Sequence, residues 1–413
     1  MTKSIKLIAA VLSVFSLGGL VACGGQQNNS VSLTVWVAEG DAEFMKWAQE
    51  EFKKANPEKQ YTFTVAYEGE NDIATKILND VERAADVFSF PNDQISKLVN
   101  GDALSRFGGA TLTQLKNTID EKAMEAATVK MSTSEETYGI PYTDNTFFLY
   151  YDKSVLNEED IKTIDGILAK CSPTKQFAMP LNDGWYMTAF YFGKNLGYEV
   201  TYDDSFGEVS IRCDFDNQTG ERVTEAIWSL AQQKGMKGDA NDSKITAGFA
   251  DGSIVAATTG IWNRTSIEKS LGENFAVAKL PSYTFKSGER EEQTQLVSFA
   301  GYKLIGVNNY SKEKAEAMKF ASFYANKQSQ LKHFELRGFV PTDKTARTDE
   351  KITSDVCAKA ITEQLQYSKA QKNVPSTLWV PMEGLGNSML TAVTSGKFDV
   401  VTQLKACVNA IRK

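Results

Sequence analysis

The sequence has only one histidine, His333, and it lies in a stretch predicted to be helical. Ser-His-Asp and Cys-His catalytic sites and His-ligated metal sites all need a histidine placed at a cleft, so a single helical histidine excludes most of them. An excess of basic residues is also missing. Lys and Arg number 45 against 52 Asp and Glu, and the net charge of −7 argues against a nucleic-acid partner.

A glycine-rich phosphate loop is absent after the first predicted strand. Glu39 stands at that point and would repel a phosphate group. We therefore expect no nucleotide cofactor and no metal ion. The composition is globular, with 42% hydrophobic and 23% charged residues.

The N-terminus carries an apolar run, Leu7–Leu20, behind two lysines. The run is too short and too rich in small residues for a membrane span, and it is typical of a signal peptide. It ends in Leu-Val-Ala-Cys23-Gly, which resembles the bacterial lipoprotein signal, in which the cysteine becomes the lipid-modified first residue. We predict a signal peptide over 1–22, a lipid anchor on Cys23 with a flexible tether over 23–30, and a position at the cell membrane facing outward. A plain secretory signal with an incidental cysteine is the alternative.

Four further cysteines are Cys171, Cys213, Cys357 and Cys407. Four cysteines allow three pairings, and the sequence does not choose among them. A Cys357–Cys407 disulfide is weakly favoured because both residues lie on predicted C-terminal helices, over about 349–371 and 399–412. Free buried thiols are the equal alternative.

A chain of 413 residues is too long for one ordinary core, so two domains are expected. Apolar residues alternate over 31–37 and 61–67 and recur at helical spacing over 41–55, and a helix over about 71–83 and a strand over 86–90 follow. This order predicts a parallel sheet with helices on its faces, in which ligands bind at the carboxyl ends of the strands. The candidate residues at those ends are Trp36, Glu39, Asp41, Phe90, Asn92 and Asp93.

Two aromatic residues, Trp185 and Tyr186, closely follow Asp183 at the end of a short predicted strand. Aromatic rings beside carboxylate and amide groups suit a saccharide, because the C–H face of a pyranose packs on a ring while its hydroxyls bond to the polar groups. Farther along, Gly260 is expected to let the backbone bend so that Trp262 points out of a strand end. Packing in a core or between domains is the alternative for these aromatic residues.

The segment over 138–156 reads YGIPYTDNTFFLYYDKSVL. Its polar residues end at Asn145, and the aromatic and β-branched run over 146–151 is typical of a buried strand. The motifs YGIP and YYDKSVL, together with LTVWVAEGDAE, ADVFSFPND and F…G…A…G.W, resemble the extracellular solute-binding proteins of ABC transporters, of the maltose/maltodextrin-binding type. The resemblance extends over roughly the whole mature chain.

The resemblance implies an α/β fold of two lobes, the type II periplasmic-binding-protein-like fold. Each lobe would be a doubly wound sheet flanked by helices, and three hinge crossings would connect the lobes. The N-terminal lobe is expected to comprise 31–143 and 290–340, and the C-terminal lobe 144–289 and 341–413.

The resemblance also implies a function. The protein would be a non-enzymatic, monomeric receptor that binds an oligosaccharide, with maltose or maltodextrin as the leading ligand, and delivers it to the permease subunits of an ABC transporter. Ligand contacts are implied at Trp36, Glu39, Asp41, Phe90, Asp93, Asn145, Asp183, Trp185, Tyr186, Trp262 and Trp379.

Several polar positions depart from the family pattern. Ala42 and Gln94 stand where the family's maltose binder has basic groups, and Asn145 replaces an acid. These departures favour an oligosaccharide in general over maltose in particular. The alternative function is a surface glycoside hydrolase with paired carboxylates. With 52 acidic residues in the chain, counting alone does not exclude such a pair.

Overall fold

A computed structural model describes residues 29–69, 72–130, 135–202 and 208–413. The predicted signal peptide and Cys23 lie outside the described residues. In the described part of the chain, no helix combines the length and the apolar character needed to cross a bilayer.

The described strands, in chain order, are β1 (Ser30–Ala38), β2 (Gln60–Glu68), β3 (Val87–Pro91), β4 (Thr128–Lys130), β5 (Glu135–Thr137), β6 (Ile140–Asn145), β7 (Phe147–Asp152), β8 (Gln176–Ala178), β9 (Tyr198–Tyr202), β10 (Glu208–Cys213), β11 (Met236–Lys237), β12 (Ile254–Gly260), β13 (Phe275–Ala278), β14 (Ser282–Ser287), β15 (Arg290–Gln295), β16 (Ser298–Val307) and β17 (Ser368–Ala370). The described α-helices are α1 (Ala42–Ala55), α2 (Ile73–Asn79), α3 (Ile95–Asn100), α4 (Gly109–Thr118), α5 (Glu121–Ala126), α6 (Ile164–Ala169), α7 (Gly184–Gly193), α8 (Gln218–Ala231), α9 (Asp242–Asp251), α10 (Arg264–Leu271), α11 (Lys314–Tyr324), α12 (Lys327–Arg337), α13 (Glu350–Thr353), α14 (Val356–Leu365), α15 (Trp379–Ala392) and α16 (Val400–Ile411).

The first lobe is built on the sheet β17-β16-β3-β1-β2, with β6 also paired to β16. Strands β1, β2 and β3 run parallel, and β16 runs antiparallel to β3 and β6. Side chains of β1, α1 and α11 meet in one apolar core, as the alternating and helical patterns predict. All residues of β3 are buried, because sheet and helices cover it on both faces.

The second lobe is built on the sheet β11-β8-β12-β7-β13. Strands β11, β8 and β12 run parallel, whereas β7 runs antiparallel to β12 and β13. Along β7, Phe147 and Leu149 enter one core and Phe148 and Tyr150 enter the core on the opposite face. The aromatic run is therefore a strand buried on both sides, as predicted, and the predicted two-lobe α/β fold is confirmed.

The chain passes between the lobes at three places, which are held together by hydrogen bonds. The first passage leads from β6 into β7 at Thr146, and the second leads from β15 into β16. The Oγ1 of Thr146 donates to the carbonyl of Phe299, at the start of β16, at 2.7 Å. The third passage follows Gly338, whose φ of 69° ends α12 in a left-handed turn that favours glycine. There Arg347 bonds to Asp144 with N···O distances of 2.7 and 2.8 Å, which ties the third passage to the first.

The structure differs from the sequence predictions in three respects. The hairpin β14–β15 packs on the second core through Tyr283 and Phe285, so the chain rejoins the first sheet only at β16 rather than at 290. The helix predicted over 349–371 is instead α13, α14 and β17, because Asp355 caps a new helix by accepting from the Ala358 N–H at 2.9 Å.

The third difference concerns the cysteines. Cys171, Cys213, Cys357 and Cys407 are all free thiols, and the weakly favoured Cys357–Cys407 disulfide is wrong. Cys357 lies in the core on one face of the second sheet, whereas Cys407 lies in the core on the other face. Burial raises the pKa of both thiols to about 12.

Candidate functional site

A cavity of about 750 Å³ lies where strand ends of the two lobes face each other. In the second lobe, β8, β11 and β12 are parallel, so the segments that follow them meet at one edge of the sheet. The first lobe contributes the segment that follows β3. The lining residues are Pro91, Asp93, Gln94, Pro180, Asn182, Asp183, Gly184, Trp185, Tyr186, Ala240, Asn241, Asp242, Trp262, Gln371, Trp379 and Glu383.

Aromatic side chains of the second lobe form one wall of this cavity. The rings of Trp185 and Trp262 are 5.9 Å apart between centroids and tilted by 45°, and Tyr186 meets Trp185 edge-on at 5.1 Å. Phe147 of β7 packs behind Trp185 at 4.8 Å. Trp379 begins α15 and contacts Phe299 at 5.8 Å. Phe147 of β7 and Phe299 of β16 therefore hold the wall in place.

Trp262 owes its position to the glycine two residues before it. A Cβ atom at Gly260 would lie 2.0 Å from the Trp262 ring, so only glycine leaves room for the indole against the backbone. Gly260 itself is extended, with φ −91° and ψ −179°, so its role is close approach and not the predicted bend. The indole Nε1 of Trp262 is buried and donates to no acceptor among the described residues. Such a donor is ready to bond to a ligand oxygen.

Asp183 places a carboxylate beside the aromatic wall. It caps α7, because its Oδ1 accepts from the backbone N–H of Trp185 at 2.8 Å. Burial raises the pKa of Asp183 above its ordinary value, and the nearby charges of Glu383 and Asp242 raise it further, against the hydrogen bond from Trp185. The carboxylate faces the cavity as a hydrogen-bond acceptor. Burial also raises the pKa of Tyr186 well above its usual range, so this phenol is a neutral hydroxyl.

Sequence reasoning missed two parts of the lining, Gln371 and the pair Asn241–Asp242. Gln371 follows β17, and its Oε1 accepts from Trp185 Nε1 at 3.0 Å. Its place depends on the pairing of β17 with β16, which no local sequence pattern indicated. Asn241 and Asp242 start α9 just after β11, so the rule of strand carboxyl ends could have found them.

The predicted contacts divide into two groups. The structure brings Asp93, Asp183, Trp185, Tyr186, Trp262 and Trp379 together around the cavity. It places four other predicted contacts outside the lining: Trp36, Glu39, Asp41 and Phe90.

Each of those four positions has a structural reason. Trp36 is half-buried against the first core, and Phe90 lies fully buried within it on β3. Glu39 is exposed in the turn after β1. For Asn145, the remaining predicted contact, the structure describes the backbone, which ends β6 and pairs with Gly301 of β16.

Asp41 is buried in a cluster of the first lobe. Arg337 Nη1 donates to its Oδ1 at 2.7 Å, and His333 Nε2 lies 3.7 Å from the same oxygen. The histidine ring stacks on Phe44 at 3.5 Å, and burial lowers its pKa. His333, the single histidine, therefore belongs to a packed core.

Comparisons with known proteins agree with this geometry. The sequence model of the bacterial extracellular solute-binding proteins matches residues 47–360. The chain is 24% identical over 423 residues to the galactooligosaccharide-binding protein of Bacillus subtilis (strain 168), covering 96% of this chain and 93% of that one. It is 25% identical over 449 residues to the maltodextrin-binding protein MdxE of the same organism, covering 99% and 97%.

A solved structure with acarbose has the same fold. It superimposes with a TM-score of 0.81 at 30% identity and covers 93% of this chain and 99% of its own. The family match spans most of the chain and includes parts of both lobes. This protein belongs to the bacterial extracellular solute-binding proteins, a family of binding proteins and not of enzymes.

Proposed function

We propose that this protein is the oligosaccharide receptor of a carbohydrate ABC importer and that the cavity described above is its ligand site. The observation that carries the proposal is the indole of Trp262. Its ring faces a second tryptophan 5.9 Å away, and its buried Nε1 has no acceptor among the described residues. A sugar satisfies both features at once, because its C–H face packs on an indole while a hydroxyl accepts from an N–H.

The two lobes contribute different chemistry to the proposed site. Trp185, Tyr186 and Trp262 on the second lobe offer apolar faces on which pyranose rings can stack. Asp93 and Gln94 on the first lobe offer polar groups for sugar hydroxyls. A bound sugar would bridge the lobes, so a closed arrangement would bind it more tightly than an open one. Such a difference in affinity is what drives hinge closure.

The two relatives are named for different oligosaccharides. They therefore support an oligosaccharide as the class of ligand more strongly than they support any one sugar. One is named for galactooligosaccharides and the other for maltodextrin. Stacking on tryptophan is common to many pyranose sugars and does not by itself choose a linkage. We therefore propose maltose or maltodextrin as the first ligand to test.

We infer the cellular setting from the N-terminal sequence. Residues 1–22 would be removed as a signal peptide, and Cys23 would carry the lipid that anchors the protein outside the cell membrane. Residues 23–30 would tether the receptor, as a monomer, close to the permease subunits that receive the sugar. A Cys23→Ala variant should leave the membrane fraction, whereas Cys171→Ala should stay with it. Retention of both variants would contradict the anchor.

The ligand site is tested by calorimetry and tryptophan fluorescence on the purified full chain. The glycan panel runs from maltose through longer maltodextrins to galactooligosaccharides and β-linked sugars, and the recovered sugar is analysed for cleavage. We expect saturable binding with the sugar recovered intact, and shortened sugar would identify a hydrolase instead. Trp185→Ala and Trp262→Ala should each abolish or strongly weaken binding without lowering the melting temperature.

The matched control for these variants is Trp228→Ala. Trp228 packs on Phe398 at 5.4 Å, outside the cavity. It should lower stability and leave sugar affinity unchanged. Normal binding by both cavity variants, together with lower melting temperatures, would make Trp185 and Trp262 core residues and overturn the site.

A further inference from the structure

The cavity lining has an unusual charge. Its four ionisable side chains other than Tyr186 are all carboxylates: Asp93, Asp183, Asp242 and Glu383. No lysine, arginine or histidine lines the cavity in the described part of the chain. A neutral sugar needs hydrogen-bond acceptors, but amides and hydroxyls supply them without charge.

Three of these four carboxylates are not paired with a cation in the described part of the chain. Among the described residues, Asp183, Asp242 and Glu383 take part in no ion pair. Asp242 Oδ1 accepts from the amide of Asn263 at 2.6 Å and from the hydroxyl of Thr259 at 3.2 Å, and both donors are neutral. These donors orient the Asp242 carboxylate and leave its charge in place.

The buried acid of the first lobe shows the opposite arrangement. Asp41 has the guanidinium of Arg337 at 2.7 Å, and Lys303 and His333 also act on it. Among the described residues, the fold thus supplies cations to Asp41, away from the cavity, and no ion-pair partner to Asp183, Asp242 or Glu383, which line it. The negative potential of the cavity is therefore a property of the site.

The aromatic wall adds to this potential. The faces of Trp185, Trp262 and Trp379 carry the negative side of the ring quadrupole, which attracts a cation within about 6 Å. Carboxylates and indole faces together form the surroundings that a protonated amine prefers. They disfavour a sugar that carries a carboxylate, because like charges repel.

We propose that the site selects oligosaccharides by charge: it binds sugars that bear a protonated amino group more tightly than their neutral counterparts and rejects uronic acids. The selectivity rests on the proposed sugar-binding function and adds a substrate class to it. Amino sugars would be ligands of this receptor, and acidic glycans would be excluded.

The test compares four probes on the purified full chain by calorimetry at pH 7 and low salt. They are maltotriose, its analogue with a terminal 6-amino-6-deoxyglucose, the N-acetylated form of that amine and the analogue with a terminal glucuronic acid. We expect the amine to bind about tenfold more tightly than maltotriose and the uronic acid about tenfold more weakly. The N-acetylated form has the bulk of the amine without its charge and should lose the preference.

Salt and a variant identify the source of the preference. In 1 M NaCl, where the Debye length is about 3 Å, the amine and maltotriose should bind more nearly alike. Glu383→Gln should reduce the preference at low salt, whereas Glu273→Gln, an exposed acid outside the cavity, should keep it.

The outcomes separate the two proposals. Equal affinities for maltotriose, amine and uronic acid would overturn the charge selectivity and leave sugar binding intact. A preference that survives N-acetylation would also overturn it, because bulk and not charge would be recognised. Failure of all four probes to bind would overturn the maltodextrin ligand and the selectivity together.

Discussion

The indole Nε1 of Trp185 donates a hydrogen bond to Oε1 of Gln371 at 3.0 Å. Gln371 is itself held by the first lobe, because Asn92 Nδ2 donates to its carbonyl at 2.6 Å and its own N–H donates to Ala300 at 2.9 Å. Asn92 also accepts from the N–H of Tyr302 through its Oδ1 at 2.9 Å. A chain of hydrogen bonds thus runs from the first sheet to a ring of the second lobe's wall. The orientation of that ring depends on both lobes.

Gln371→Ala should therefore weaken sugar binding although the residue is not aromatic. The change removes the acceptor of Trp185 Nε1 and frees the ring to rotate. One lost hydrogen bond corresponds to about 1 kcal/mol, so we expect an about fivefold weaker affinity by calorimetry. Gln366→Ala, on the exposed surface before β17, is the matched control and should bind normally. An unchanged affinity in Gln371→Ala would mean that packing on Phe147 alone orients the indole.

Gly260→Ala should damage the site through one added methyl group. The new Cβ would lie 2.0 Å from the Trp262 ring, so the indole must move. Overpacking of this kind costs about 1–3 kcal/mol, and we expect sugar affinity to fall by about tenfold or more. Gly384→Ala is the control, because nothing lies within 4 Å of its added Cβ in α15. It should bind normally, and equal binding by both variants would show that Trp262 is not a contact.

The sequence predicted those parts of the fold and site that depend on local patterns. The aromatic run of β7 was predicted as a buried strand, and the turn at Asp183 was predicted to bring a carboxylate beside Trp185. In both cases neighbouring residues in the chain determine the outcome. Trp262 was predicted at a strand end from Gly260 and from the motif F…G…A…G.W, and the structure places it directly after β12.

The rest depended on contacts between distant segments. Phe90 lies at a strand end, but β16 and the helices bury it on both faces. Asp41 follows β1 as predicted. However, Arg337, 296 residues farther along the chain, donates a hydrogen bond to its carboxylate. Gln371 reaches the cavity because β17 joins β16. Periodicity carries no information about such partners.

Asp41→Asn should lower stability and leave the ligand site intact. Burial alone would raise the pKa of Asp41, but His333, Lys303 and Arg337 together hold it below its ordinary value. Its contribution to stability is thus present at neutral pH and is lost as the pH falls through the lowered pKa. Removing one partner of a buried pair costs about 3 kcal/mol, which denaturant unfolding at pH 7 measures.

Asp93→Asn is the counterpart of this variant on the cavity wall. It should weaken sugar binding, because Asp93 lines the cavity. Affinity that is lost in Asp41→Asn and kept in Asp93→Asn would reverse the two assignments.

The hinge contains a second buried acid, Asp144. Its pKa is raised, whereas the pKa of Asp41 is lowered. Arg347 Nη2 donates to both oxygens of Asp144 at 2.7 and 2.8 Å, and Arg347 Nε donates to the Pro141 carbonyl at 2.6 Å. Burial nevertheless raises the pKa of Asp144 to about 6, with Arg347 opposing the shift and Asp120 adding to it. The ionised acid is therefore costly in the folded state at pH 7.

Because the folded pKa of Asp144 is raised, this group binds its proton more tightly in the folded than in the unfolded chain between about pH 4 and pH 6. Its contribution should therefore increase the free energy of unfolding as the pH falls from 7 to 4, by up to about 3 kcal/mol. Other carboxylates titrate in the same range, so the measured quantity is the difference between wild type and Asp144→Asn in denaturant unfolding at each pH. That difference should move in favour of the wild type on acidification, while the exposed Asp80→Asn variant serves as the control for general charge effects. A difference that moves the other way would show that the bidentate bond from Arg347 outweighs burial and holds the Asp144 carboxylate ionised.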